Sequence, residues 1–179
     1  MNKNLKELIL AGILAGTGVI LPMAFHMFGG AGAIFLPMHI PVLVGGFFLS
    51  APIALALGLI TPVLSAVLTG MPPVFPMMPI MMLELGFYGL TLSLVRAKIT
   101  KNPYVCLLSS MIVGRIAAGF MVFLLATYFS AKLPPVQVFI SGSIVKGLPG
   151  ILIQLVIVPI VVFAVTKSKF KAVRTSNQE

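Results

Sequence analysis

The chain has no tryptophan, one cysteine and only three acidic residues in 179 positions. A lone Cys106 excludes a disulfide framework and a multi-cysteine metal site, and is read as a small apolar filler. Charged residues make up 8% of the sequence, where a globular chain carries about 25%. No Asp, Glu, Lys or Arg occurs between Glu7 and Glu84. A stretch that long without charge cannot form the surface of a soluble domain. Chemical motifs are missing too. There is no Gly-x-x-x-x-Gly-Lys-Ser/Thr loop for a nucleotide, no His-Glu-x-x-His, no Gly-x-Ser-x-Gly and no pair of intramembrane carboxylates. The chain is therefore read as neither an enzyme nor a cofactor carrier, and any ATP-driven work needs a second protein.

What is present is apolar. Hydrophobic residues make up 59% of the chain, and a helix crosses lipid with about 20 of them in a row. The expected fold is an all-α integral membrane protein, a single transmembrane domain over 1–179. It is a bundle of six helices at about 5–24, 38–49, 53–69, 77–94, 104–129 and 141–165. The basic start followed by an apolar run resembles a signal peptide. However, the apolar character continues far past Met23 with no small-residue cleavage site before a polar region, so the first helix is expected to be retained. The second run is too short to cross alone, so it tilts, or part of the preceding Gly-rich loop lies at membrane depth on protein. Pro62 falls inside the third helix and is expected to kink it. Residues 70–79 hold four prolines and read as a stiff loop.

The net charge of +9 invites a nucleic-acid partner, but the basic residues cluster between and beyond the apolar runs rather than along one face. With six crossings, Lys3, Lys6, Arg96, Lys98, Lys101, Lys167, Lys169, Lys171 and Arg174 share one side and Lys132 stands on the other. The positive-inside rule then places both termini in the cytoplasm.

Three ionisable residues fall within expected helices: Glu84, Arg115 and Lys146. An ionised group in lipid is costly unless paired or hydrated, so each is a candidate for function. At 1.5 Å per residue, Glu84 lies roughly 10 Å and Lys146 roughly 8 Å from the outer ends of their helices. Glu84, Tyr88 and Thr91 share one helical face, as do Lys146, Gly150 and Gln154. Polar groups separated by glycine suit a pocket for a polar ligand. The candidate binding residues are Glu84, Tyr88, Arg115, Lys146, Gln154 and His39, the last at the end of the first outer loop. The plainer alternative is a structural Glu84–Arg115 pair with Lys146 reaching outward. Two cations against one carboxylate favour a neutral or anionic ligand, and Phe87, Tyr88 and nearby methionines can pack on a flat ring. His26, His39 and the methionines around both outer connections (Met23, Met27, Met38, Met71, Met77, Met78, Met81 and Met82) also offer soft ligands suited to Cu(I). No Met-x-x-x-Met cluster joins a histidine on one face, so no metal site is assigned, and a self-sufficient small-molecule or metal permease is kept as the alternative. Ala11 and Ala15, beside Gly12 and Gly16, form small-residue stripes that allow close helix approach.

Taken with LPMHIPVLVGGFF (36–48), GLITPVLSAVLTGMPP (58–73) and MMLELGFYGL (81–90), these features resemble the substrate-binding S component of an energy-coupling factor (ECF) transporter. The resemblance covers nearly the whole chain. It implies a subunit in a prokaryotic plasma membrane that captures a small water-soluble vitamin or precursor from outside. It further implies docking through Ala11 and Ala15 onto a transmembrane coupling subunit driven by two cytoplasmic ATPases, followed by toppling and release inside. The first outer loop, 26–37, would be the lid. Where the family often has Gly-Pro after the second helix, this chain has Ser50-Ala51-Pro52.

Overall fold

The structure, a computed structural model, describes residues 2–26, 31–129 and 131–176. Met27, Gly29 and Gly30 of the expected lid, and the side chain of His26, lie outside what is described. All regular structure among these residues is helical: α1 (Lys3–His26), α2 (Ala31–Phe35), α3 (His39–Phe48), α4 (Ala51–Thr69), α5 (Met77–Lys98), α6 (Pro103–Tyr128) and α7 (Val136–Ser176). Five are long and apolar enough to cross a membrane, and α3 is a shorter apolar helix. Large side chains such as Ile13 and Ile20 of α1, Val67 of α4, Ile112 and Ile116 of α6 and Val156 of α7 are exposed, as lipid-facing groups are.

Small residues decide how closely the helices pack, as expected where lipid supplies no hydrophobic drive for association. A Cβ on Gly58 of α4 would strike the α5 backbone at Leu85 and Gly86, and one on Gly89 of α5 would strike the α4 carbonyl of Ala54. The core between them holds Val42, Leu43, Phe47, Leu57, Leu85, Leu92 and Leu107.

The start of α1, the α3–α4 turn and the α5–α6 turn lie at one end of the bundle. There Glu7 Oε2 accepts hydrogen bonds from Ser50 N (2.9 Å) and Ser50 Oγ (2.6 Å), so α1 satisfies a donor at the start of α4. Ser93 Oγ of α5 donates to Leu49 O (2.9 Å) at the end of α3. Arg96 stands over the rings of Phe47 and Phe48, about 6 Å from each centroid. The ends of α1 and α4 and the starts of α5 and α7 lie at the other end.

The first outer loop and the last helix differ from the sequence reading. The first outer loop contains a helical turn, α2. The last helix begins at Val136, not near Ser141, and continues to Ser176, past the expected end at 165, so the loop before it is shorter and Lys146 sits about 15 Å into its helix. α3 is short, as expected, and of the two outcomes expected for it the structure has the one in which the chain before it descends into the bundle. There Leu36 takes a left-handed φ of 50°, its carbonyl accepts from Gln154 Nε2 of α7 (3.4 Å), and the Phe35 backbone lies against Gly150. Irregular backbone at this depth is stable only when covered by protein, and α7 is the cover. Residues 70–76 form the proline-rich connection, with Met71–Pro72 and Phe75–Pro76 cis.

Gly58→Val should destabilise the chain by about 1–3 kcal/mol through overpacking. Gly12→Val, where an added Cβ meets nothing within 4 Å, should shift stability by no more than about 0.5 kcal/mol. Thermal melting of both variants in detergent checks the contrast.

Candidate functional site

The site begins with a glycine. A Cβ on Gly114 of α6 would overlap the Tyr88 ring and crowd the Glu84 carbonyl. With hydrogen there instead, α5 and α6 close up and the next residue, Arg115, reaches Glu84. Arg115 Nη1 stands 2.7 Å from Glu84 Oε1, with the two side chains 12% and 5% exposed. The distance is that of a charge-assisted hydrogen bond. Tyr88, one turn on from Glu84, donates its hydroxyl to the same oxygen (3.2 Å). His39, at the start of α3, brings Nε2 to 3.6 Å from it, beyond hydrogen-bond range. The imidazole meets the Tyr88 ring edge-on, with centroids 5.5 Å apart. Ser143 Oγ of α7 lies 3.4 Å from Arg115 Nη1.

Glu84, Arg115, His39 and Ser143 border a cavity of about 550 Å³ at the end of the bundle remote from the start of α1. That volume is in the range of sites for drug-sized ligands. Glu84, Arg115, His39 and Lys146 all line it. Its walls are otherwise mostly apolar, with Met38, Met71, Met77, Met81, Ile80 and Phe139 among them. Thioethers are soft and adaptable, and they pack well on flat rings. Among the described residues no three His, Cys, Asp or Glu converge as a metal site would require.

Not every expected residue reaches the cavity. Tyr88 is 1% exposed and stands behind Glu84, so it positions the carboxylate instead of forming wall. Gln154 is also 1% exposed, and its amide is used on Leu36, holding the corner that carries Pro37, Met38 and His39. Thr91 and Phe87 line a separate groove beside Lys98, so neither packs on a ligand in this cavity. The reason is helical phase. A window of i, i+4, i+7 spans a face too broad to separate a cavity wall from the side next to it.

Ser143 and Phe139 were missed by sequence reasoning. With α7 starting at Val136, residues 139, 142, 143 and 146 form one stripe at i, i+3, i+4 and i+7. Placing the helix start at Ser141 hid that stripe, although Lys146 alone pointed to Ser143 one turn away.

The proposed docking residues have a mixed setting. Ala11 and Ala15 are partly buried against the central core. Gly12 and Gly16, beside them, face outward, with open space where a side chain would be.

Removing one partner of a buried ion pair leaves the other charged and unpaired, at a cost of about 3–5 kcal/mol. Arg115→Ala should therefore lower stability by that order, and the double change Glu84→Gln with Arg115→Met should recover most of it. Melting curves of the native, single and double variants decide the matter. A single variant as stable as the native chain would show that the pair is solvated.

A family model described as ECF transporter, substrate-specific component, matches residues 6–162. Neither the curated proteins nor the solved structures contain a match to this chain.

Proposed function

The chain belongs to the substrate-specific components of ECF transporters, and from that premise we propose that it is the high-affinity binding subunit of an importer for a small water-soluble vitamin or vitamin precursor. As a member of that family it is a multi-pass membrane transport subunit. In the proposed cycle, the cavity beside Glu84, Arg115, His39 and Lys146 opens to the outside of a prokaryotic plasma membrane, and both termini lie in the cytoplasm. The chain then crosses six times, with α3 and the covered corner before it together making the second passage. The observation that carries this reading is the cavity itself, an apolar chamber with a few converging polar groups at one end of the bundle.

The chemistry follows from the walls. Methionines and Phe139 take the apolar body of the ligand, and the Glu84–Arg115–His39 cluster orients it by hydrogen bonds. Tyr88 and Gln154 act one step back, by holding Glu84 and the Leu36 corner. No bond is made or broken, and the energy for release comes from elsewhere. In the reading proposed here, α1 docks on a transmembrane coupling subunit, which two cytoplasmic ATPases drive. Gly12 and Gly16 make the open part of that surface, with Ala11 and Ala15 at its inner margin. A close helix partner fits where no side chain projects.

The reading predicts that the purified chain binds its vitamin without any other subunit, and that Arg115→Ala weakens that binding by about tenfold or more. Liposomes holding this chain alone should take up nothing in a sustained way. Uptake by the chain alone would instead favour the self-sufficient permease.

Gly12→Leu and Gly16→Leu test the docking face more cleanly than changes at the half-packed alanines. Each should leave the affinity of the isolated chain unchanged and abolish ATP-driven uptake by the reconstituted complex. Loss of binding in these variants would remove α1 from the docking role.

A further inference from the structure

The charges around the cavity do not balance. The whole chain has three carboxylates, Glu7, Glu84 and Glu179. Among the described residues Glu84 is the carboxylate that lines the cavity, and Arg115 already occupies it at 2.7 Å. Lys146 borders the same cavity, about 15 Å into α7, with no ion pair among the described residues. Among the described residues the wall therefore carries one positive charge in excess.

Hydrogen-bonding capacity is left open at the same place. Arg115 Nη2 is buried and has no partner, although Nη1 of the same guanidinium is engaged. It lies next to Gly147, where a Cβ would come within 3.8 Å of it. Lys146 is the adjoining residue, so the open guanidinium nitrogen and the ammonium belong to neighbouring parts of the wall. His39 is 2% exposed, and neither of its ring nitrogens has a hydrogen-bond partner, Nε2 standing 3.6 Å from Glu84 Oε1. Buried donors without partners are rare in folded proteins, and each calls for an explanation. A bound ligand supplies one for all three atoms.

We propose that the substrate is an organic monoanion whose carboxylate, or a comparable anionic group, lodges between Arg115 Nη2 and Lys146, while an uncharged polar part of the same molecule hydrogen-bonds with His39. The bound site is then neutral, with two cations against two anions. A cationic ligand would add to the excess charge, and a neutral one would leave it uncompensated. A neutral imidazole offers one donor and one acceptor, so an uncharged group such as a hydroxyl, an amide or a ring nitrogen satisfies it. The inference rests on the cavity being the substrate site.

The test uses the full chain in lipid nanodiscs, incubated with a water-soluble metabolite extract and washed, with the retained molecules identified by mass spectrometry. Affinities are then measured for the retained compound and for its methyl ester or amide. The expected result is a retained anion whose neutral analogue binds the native chain about tenfold more weakly. Lys146→Gln should weaken the anion by a similar factor while leaving the neutral analogue nearly unchanged, so the two changes are coupled. Lys146 is exposed, so its replacement does not open the core, and Lys132→Gln serves as the control that moves neither affinity. A retained molecule that is neutral or cationic overturns the proposal and leaves the binding function standing. So does an anion indifferent to Lys146→Gln. A native chain that retains nothing overturns the binding function on which the proposal rests.

Discussion

A carboxylate and a guanidinium held 2.7 Å apart inside a body made almost wholly of hydrocarbon impose conditions on everything around them. Neither charge is stable there alone. Glu84 must therefore face α6, Arg115 must face α5, and nothing bulky can stand between the two helices at that level. Gly114 meets the last condition, and the Tyr88 ring fills the space that it leaves. The closeness of α5 and α6 and the polarity of the cavity are in this sense one fact. The helices approach where Gly114 leaves room, and the pair formed there lines the cavity.

The second dependence runs through the corner before α3. A ten-residue helix covers only about 15 Å, half the hydrocarbon thickness. In the proposed topology the remainder is supplied by backbone that is not regular helix throughout, and this backbone needs partners. Gly150 lets it lie close against α7, and Gln154 meets the Leu36 carbonyl. The result places His39, the first residue of the short helix, beside Glu84 instead of at the membrane surface. α7 thus acts on the site twice. It lends Ser143 and Lys146 to the wall directly, and it sets His39 through the corner.

Much of this was legible in the sequence. The long uncharged stretch and the spacing of apolar runs announced a helical membrane protein, and the shortness of the run after Pro37 announced irregular backbone at depth as one of two outcomes. Glu84, Arg115 and Lys146 stood out because ionised groups are rare in such a setting. What was not legible depends on phase and on close approach. Gln154 and Tyr88 look like lining residues by spacing, yet both spend their polar atoms on other parts of the protein. Thr91 and Phe87 fall on another groove because a helix turning 100° per residue soon leaves any one wall. The start of α7 is not legible because Pro134 and Pro135 read as loop, and the apolar turn after them reads with it. Gly12 and Gly16 were noticed beside the alanines, but which stripe faces outward is settled by the rotation of α1 in the bundle, which no local pattern encodes.

For a body immersed in oil, orientation is held by the groups that refuse to enter it. Between Glu7 and Glu84 this chain has no Asp, Glu, Lys or Arg, and the outer surfaces of α1 and α4 are made of groups such as Ile13, Ile20, Ile60 and Val67. Those surfaces are equally at home at any level of the hydrocarbon. Turning them within the bilayer drags no ion out of water and breaks no hydration shell. Resistance to reorientation is thereby concentrated in the basic clusters, in Lys132 and in Lys146, and the flank of α1 and α4 behaves as a smooth bearing.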